Sequence, residues 1–190
     1  MPFLMLKDLP RYECLLEAAK QFPELDPSAC EVFLLLLRAG DQTFRVCDAH
    51  LQRHNVSQGR FTVLMLLLDK SSGCPKSHTP AELADMAGVT RATMTGLVDT
   101  LERDGMVTRR PDSVDRRMLL VTLTDKGVDF IKGVLPDHFK RMAALMSPLS
   151  EPERKTLVKL LTKIVAQADT VEPSRASDPV DATRLTVHLR

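Results

Sequence analysis

Apolar residues in the middle of the chain recur at helical spacing in two short segments separated by Gly88. Before this glycine, Thr79 and Pro80 are residue types favoured at an N-cap and at the first helical position, so a helix is predicted to begin at Pro80. After it, Thr90 is a candidate N-cap for a second helix, which Gly105 ends. The apolar stripe of this second helix follows the i, i+3, i+4, i+7 rule and comprises Met94, Leu97, Val98 and Leu101.

A β-hairpin is predicted directly after the second helix. Residues 106–110 alternate between apolar and polar types, residues 118–123 are again strand-like, and turn residues lie between them. The tip carries Asp115, Arg116 and Arg117. An arginine at such a tip can enter a DNA minor groove, and the carboxylate of Asp115 can hold the guanidinium of Arg117 in place. Two short helices, a turn and a basic hairpin together predict a winged helix-turn-helix that reads DNA.

Longer helices flank this module on both sides. The apolar pattern predicts one helix over residues 27–54 and another over 57–68, and after the hairpin it predicts helices over 124–146 and 150–167. Residues 6–22 have the spacing of an additional amphipathic helix. The predicted fold is therefore mainly α with a small β-hairpin wing: a winged helix-turn-helix domain on a helical base.

The composition narrows how the chain can contact DNA and where it resides. Its 190 residues are 44% hydrophobic and carry a net charge of only +1, so any DNA contact must come from local placement of cations. The longest apolar runs, residues 32–37 and 63–68, have six residues each, far short of the roughly 20 that span a bilayer. The amino terminus has no export-signal pattern, so we expect a cytoplasmic protein without membrane association.

The chain has no sequence motif of an enzyme. It has no glycine-rich phosphate loop, no nucleophile elbow, and no cluster of histidines and carboxylates at ligand spacing. The four cysteines lack the paired spacing of a zinc site or a disulfide framework and comprise Cys14, Cys30, Cys47 and Cys74. We therefore expect no catalytic residues, no metal and no cofactor, with the cysteines present as reduced thiols.

The helix-turn-helix and its wing resemble the MarR family of bacterial transcriptional regulators. The residues that carry this resemblance are Leu83-Ala84, positions 90–101, Asp104-Gly105-Met106-Val107, Arg109-Arg110, Asp115-Arg116-Arg117 and positions 121–127. The Asp-x-Arg wing and the Leu-Thr-x-x-Gly helix start are the more specific motifs. The resemblance extends over roughly residues 28–168.

The resemblance implies a homodimer whose terminal helices form an intertwined base. Such a dimer presents two recognition helices to the half-sites of a pseudo-palindromic, double-stranded DNA operator. Base contacts in the major groove are expected from Arg91, Thr93 and Thr95. Phosphate contacts are expected from Thr90 and from Arg109 or Arg110, and the minor-groove contact of the wing is expected from Arg117, with Asp115 and Arg116 beside it.

The resemblance also implies a repressor that a small aromatic or phenolic acid releases from its operator. Family members commonly bind such acids between the dimer helices and the DNA-binding lobe, and the candidate ligand contacts there are Arg38, Arg45, His50, His54 and Arg60. Some relatives sense peroxide through a thiol, which leaves a redox-sensing repressor using Cys14 or Cys30 as an alternative. A further alternative is a helical protein-interaction module without DNA binding, which would need an apolar outer face on the second helix.

These patterns divide the chain into five parts. We expect an amino-terminal extension helix at 1–27, a dimerisation and ligand-pocket helix at 28–56, and the winged helix-turn-helix domain at 57–123. The carboxyl-terminal dimerisation helices follow at 124–168. Residues 169–190 mix Asp, Thr, Pro, Ser and Arg without helical periodicity, so we expect a flexible tail.

Overall fold

The structure is a computed structural model that describes residues 4, 6–68, 75–112, 115, 117–168 and 170–171. Seven helices and two strands lie in these ranges: α1 Tyr12–Gln21, α2 Pro27–Arg53, α3 Gln58–Leu66, α4 Pro80–Ala87, α5 Arg91–Arg103, β1 Val107–Pro111, β2 Leu119–Leu123, α6 Asp125–Met146 and α7 Glu151–Ala168. The fold class predicted from the sequence, mainly helical with a two-stranded hairpin, is confirmed. Arg116, Cys74 and the predicted tail beyond Val171 lie outside the described residues.

The ends of the two short helices are set by the residues that the sequence pattern indicates. Thr79 and Glu82 form a capping box at α4, in which Thr79 Oγ1 accepts from the backbone N–H of Glu82 at 3.2 Å and Glu82 Oε2 accepts from the N–H of Thr79 at 2.8 Å. Gly88 ends α4 with φ 63°, a left-handed conformation that glycine adopts without strain. Thr90 Oγ1 caps α5 by accepting from the N–H of Thr93 at 3.1 Å.

The hydrophobic core lies where α3, α4, α5, the hairpin and the first half of α6 meet. Its fully buried side chains include Leu64, Leu67, Leu83, Met94, Val98, Leu101, Val121 and Ile131. The hairpin is antiparallel, with Arg109 opposite Val121, and His78 pairs with the other edge of Val121. Gly127 brings α6 close to the start of β1, because a Cβ there would lie 2.1 Å from the carbonyl oxygen of Met106.

The amino-terminal helix is shorter than the amphipathic pattern over residues 6–22 indicates. It begins at Tyr12, since Pro10 lacks a backbone N–H and disfavours helical geometry at the residue before it. Helix α1 packs against α2 with Leu15 buried. The segment before it is attached to α2 by Arg38, whose guanidinium donates to the carbonyl oxygens of Leu6 and Lys7.

The chain divides into two units whose boundary falls between Leu145 and Met146, so α7 is described by itself. At the start of α7, Glu153 Oε2 accepts from the backbone N–H of Ser150 at 2.7 Å and from its hydroxyl at 2.6 Å. No residue of α7 is buried, and its exposed large apolar side chains are Leu157, Val158, Leu160, Ile164 and Val165. Across the described ranges, no helix combines the length and the apolar character needed to cross a membrane.

Candidate nucleic-acid interface

The outer surface of α5 carries small and polar side chains. Its exposed residues include Arg91, Ala92, Thr93, Thr95, Gly96 and Asp99, while the opposite stripe is buried in the core. Thr95 is exposed, and its Oγ1 donates to the carbonyl oxygen of Arg91, one turn earlier in the helix, at 2.9 Å. A helix face of this kind can lie close to base edges, because no bulky apolar side chain holds it away.

Two of the three predicted base-reading residues and the predicted minor-groove arginine lie on one side of the module. Arg91, Thr95 and Arg117 line a single open cavity of about 400 Å³, together with Thr79 and Pro80 at the start of α4. Arg91 comes from the first turn of α5, and Arg117 lies just before β2. Two cations from separate elements thus border the same cleft, which gives this side of the lobe a local positive charge.

The wing tip is shaped by backbone hydrogen bonds. The carboxylate of Asp115 accepts from the backbone N–H of Arg117 at 3.0 Å, and the N–H of Met118 donates to the carbonyl oxygen of Asp115 at 2.9 Å. The contact expected between Asp115 and the guanidinium of Arg117 is not among the contacts of the described residues. Asp115 therefore positions Arg117 through the main chain of the turn, which leaves the guanidinium available for another partner.

Arg109 lies at the base of the wing and contacts two acids of the recognition helix. Its guanidinium forms ion pairs with Asp99, at 2.5 Å, and with Glu102. Desolvation by burial lowers the pKa of Arg109, but the hydrogen bonds and charges of the two carboxylates outweigh it, so the net pKa is raised. The neighbouring Arg110 is exposed and has no ion pair with a described residue. The sequence predicts a phosphate contact from Arg109 or Arg110, and the two arginines have different surroundings.

The cations proposed as ligand contacts do not converge on one site. Arg45 Nε donates to the carbonyl oxygen of Asp41 on its own helix at 3.3 Å, and Arg38 contacts the amino-terminal segment. Arg60 forms an ion pair with Asp104 at 2.9 Å and donates to the carbonyl oxygen of Asn55 at 2.7 Å. Each of these guanidinium groups already has partners in the protein.

His50 and His54, the histidines proposed as ligand contacts, belong to a cluster of rings. The sequence did not predict that His138 and Phe61 are part of this cluster. His50 of α2 stacks on His138 of α6, with ring centroids 5.9 Å apart, and the exposed His54 meets His50 edge-on at 5.0 Å. Phe61 of α3 lies 5.0 Å from His138. The Nε2 atom of His50, the Nδ1 atom of His138 and the Nε atom of Arg141 are buried without a hydrogen-bond partner among the described residues.

Burial sets the charge state of this cluster. Desolvation, and next the positive charge of Arg141, lower the pKa of His50, and desolvation lowers the pKa of His138. Both rings are therefore neutral at pH 7. His50 and His138 are 88 positions apart in the sequence and meet because α2 and α6 lie close together. Residue spacing within either helix could not predict this contact.

The cysteines proposed as redox sensors are not paired. Cys14 is exposed, Cys30 and Cys47 are partly buried, and all three are free thiols. Within the described residues, no group of three or more histidine, cysteine or acidic side chains is arranged to hold a metal ion. The redox role of Cys14 or Cys30 stays a prediction.

The fold and the surface of α5 define a winged helix-turn-helix DNA-binding regulator, and comparison with known proteins identifies its family. The MarR family model matches residues 56–119. The chain is 37% identical over 158 residues to the transcriptional repressor YetL of Bacillus subtilis, an alignment that covers 82% of this chain and 92% of YetL. The protein belongs to the MarR family, whose members bind operator DNA, are dimeric and are regulators, not enzymes.

Solved structures agree with this assignment. A cysteine-to-serine variant of MarR from E. coli bound to operator DNA has a TM-score of 0.62 and 25% identity, with 72% of this chain and 95% of that chain covered. BpsR of Bordetella bronchiseptica, whose DNA binding is regulated by 6-hydroxynicotinic acid, has a TM-score of 0.59 and 24% identity, with 69% and 90% of the two chains covered. The likeness to BpsR concerns the fold alone.

Proposed function

We propose that this MarR-family transcriptional regulator is a homodimeric repressor that a small aromatic or phenolic acid releases from a pseudo-palindromic operator. The observation that carries the DNA-binding part is the cleft at which Arg91, Thr95 and Arg117 meet beside the exposed polar face of α5. Helix α5 enters the major groove, where Arg91, Thr93 and Thr95 contact base edges. The wing carries Arg117 to the adjacent minor groove, and a contact from the neighbouring Arg116 stays a prediction.

Phosphate contacts come from residues beside the exposed face of α5, namely Thr90 and Arg110. Thr90 lies at the amino-terminal end of α5, where the helix dipole favours an anion, although its hydroxyl also caps the helix. Arg110 is the better supported phosphate ligand of the two strand arginines, because its side chain is exposed whereas the guanidinium of Arg109 is bound by two acids. The small, polar outer face of α5 argues against the protein-interaction alternative.

The effector site is best supported at the histidine cluster between α2, α3 and α6. Of the five ligand contacts predicted from the sequence, His50 is the buried one with an unpartnered ring nitrogen. An acid that entered there would find the buried nitrogens of His50 and His138 and the guanidinium of Arg141, with Phe61 as an apolar wall. BpsR, which shares the fold, responds to an aromatic acid, 6-hydroxynicotinic acid.

Release requires that the acid bind the DNA-free arrangement of the two lobes more tightly than the DNA-bound one. A tenfold preference shifts the equilibrium by about 1.4 kcal/mol, so an effector of modest selectivity gives partial derepression. The acid acts by changing the spacing of the two recognition helices until they no longer fit successive major grooves.

Fluorescence anisotropy with the DNA upstream of the protein's own gene tests this proposal at fixed salt. We expect saturable binding, a loss of about tenfold in affinity for Arg117→Ala, and release by one member of a panel of aromatic carboxylates. Unchanged affinity of the Arg117→Ala variant would contradict the wing assignment. Release by peroxide alone, lost in the Cys14→Ser or Cys30→Ser variant, would support the redox alternative, and absence of specific binding would support the protein-interaction alternative.

A further inference from the structure

Arg109 is the point at which the wing is attached to the recognition helix. Its guanidinium reaches Asp99 and Glu102, which lie one turn apart on α5, and its side chain is only 21% exposed. The other oxygen of Glu102 accepts from the backbone N–H of Arg109 at 3.1 Å. One carboxylate therefore binds both the main chain and the side chain of the same strand residue.

The opposite edge of the hairpin is attached at the same level. Val121, the partner of Arg109 in the register, exchanges backbone hydrogen bonds with His78 at 3.1 and 2.8 Å. His78 immediately precedes the capping box of α4. The base of the wing is thus attached to α5 and to the residue before the capping box of α4.

A phosphate contact by Arg109 would have to replace two ion pairs. Each of them joins a fully charged donor to a carboxylate, which is the stronger class of hydrogen bond, and the paired carboxylates would be left without their cation. Asp99 also lies on the exposed face of α5, so a lost Arg109 would leave an uncompensated negative charge beside the DNA. Arg110, one residue further along β1, is exposed and would bind phosphate without this cost.

We infer that Arg109 is a positioning residue: with Asp99 and Glu102 it fixes the wing relative to the recognition helix, so that Arg117 reaches the minor groove while α5 lies in the major groove. Arg109 itself contacts no DNA. This inference rests on the proposed use of α5 and the wing for operator binding. It adds that part of the affinity for DNA depends on an ion-pair network inside the protein.

The salt dependence of operator binding distinguishes positioning from phosphate contact. Each phosphate contact contributes about 0.9 to the slope of log K against log salt concentration. We expect Arg109→Gln to weaken binding about tenfold with an unchanged slope. The matched control Arg110→Gln removes one contact from each subunit of the proposed dimer, so it should reduce the magnitude of the slope by about 1.8. A slope whose magnitude falls by about 1.8 in the Arg109→Gln variant would overturn the inference.

Two further variants distinguish positioning from phosphate contact. One does so by the sign of the change in operator affinity, and the other by the kind of cation at position 109. Glu102→Gln removes a negative charge near DNA, so simple electrostatics predicts tighter binding, whereas loss of the attachment predicts weaker binding. Arg109→Lys keeps a cation that binds phosphate but cannot reproduce the fork to two carboxylates, so we expect it not to restore affinity. Wild-type or tighter binding by the Glu102→Gln variant, or wild-type affinity of the Arg109→Lys variant, would contradict the inference.

A double-mutant cycle shows whether Arg109 acts through the wing. If it does, Arg117→Ala costs less affinity in the Arg109→Gln background than in the wild type, whereas independent effects would add.

Thermal unfolding and the oligomeric state of each variant show whether it is folded. If Arg109→Gln does not fold, Glu102→Gln takes its place in the binding measurements. Hydrogen exchange of the Arg109 amide in the free protein is independent of DNA. Glu102→Ala removes the oxygen that accepts from this amide, so faster exchange in that variant supports the attachment even if no operator is bound, and unchanged exchange contradicts it.

Discussion

The winged helix-turn-helix lobe, residues 57–123, and the last helix, α7, have similar amphipathic patterns, but their apolar side chains differ greatly in burial. In the lobe, Leu83, Met94 and Leu101 have no exposed surface, and the core is filled by side chains of the same chain. In α7, no residue is buried, and Val158 and Val165 are 63% and 64% exposed. An amphipathic pattern shows that a helix face is to be covered, but it does not show whether the cover belongs to the same chain.

Helix α2 has buried side chains near its end and exposed apolar side chains near its beginning. Near its end, His50 and Leu51 are buried against the lobe, whereas Val32 and Phe33 near its beginning are more than half exposed. Exposed apolar surface of this extent marks an interaction site. Since the family is dimeric, we assign the faces of α7 and the first half of α2 to the second subunit as a proposal.

The largest effect is expected from a charge in the apolar stripe of α7. Ile164→Glu places a carboxylate in that stripe, while the neighbouring Lys163→Glu places the same group on the polar side as a control. We expect Ile164→Glu to dissociate the dimer and to weaken operator binding by about a hundredfold, because two linked half-site contacts become one. Light scattering and anisotropy measure both quantities, and a dimeric Ile164→Glu variant with full affinity would contradict the assignment of α7.

The next largest effect is expected from a cavity in the lobe. Leu83→Ala removes a side chain with no exposed surface and should lower the free energy of unfolding by about 2–5 kcal/mol. Met86→Ala on the same helix, where the side chain is 52% exposed, should change it by less than about 0.5 kcal/mol. Urea unfolding checks the difference. Equal effects would mean that the lobe is not packed as the structure describes.

A smaller effect is expected from the amino-terminal ends of α4 and α7. Thr79→Ala removes the cap of α4, a helix packed in the core, and should cost about 1 kcal/mol of stability. Ser150→Ala removes only a hydroxyl that donates to Glu153 Oε2 at the start of α7 and should cost less, because that helix has no buried residue and its first turn can fray. Thermal unfolding of both variants measures the difference, and a larger loss for Ser150→Ala would reverse the comparison.

The capping and stripe residues could be predicted from sequence because they act within one or two helical turns. Thr79, Thr90 and Gly88 take their roles from neighbours three or four positions away, and these predictions are confirmed. The partners of Arg109 could not be predicted in this way, because Asp99 and Glu102 meet it only after the strand returns along α5. Spacing likewise indicated that Asp115 would bind the guanidinium of Arg117, whereas the turn directs its carboxylate to a backbone N–H.

The smallest effect is expected from the buried histidine pair, and it appears as a pH dependence. The pKa of His138 is lowered from 6.5 by desolvation, and the pKa of His50 is lowered by desolvation and by Arg141. Between these lowered values and 6.5, the unfolded chain binds more protons than the folded chain, so the free energy of unfolding rises with pH across that window. Acidification below about 6.5 should therefore destabilise the junction of α2 and α6.

His138→Gln should flatten this pH dependence, whereas His54→Gln, which removes an exposed ring next to His50, should retain most of it. Urea unfolding at several pH values above the range in which carboxylates protonate measures the slope for each variant. An unchanged slope in His138→Gln would mean that the ring binds protons equally in the folded and unfolded states and contributes no linkage. A slope lost equally in both variants would mean that the exposed ring is as important to the junction as the buried one.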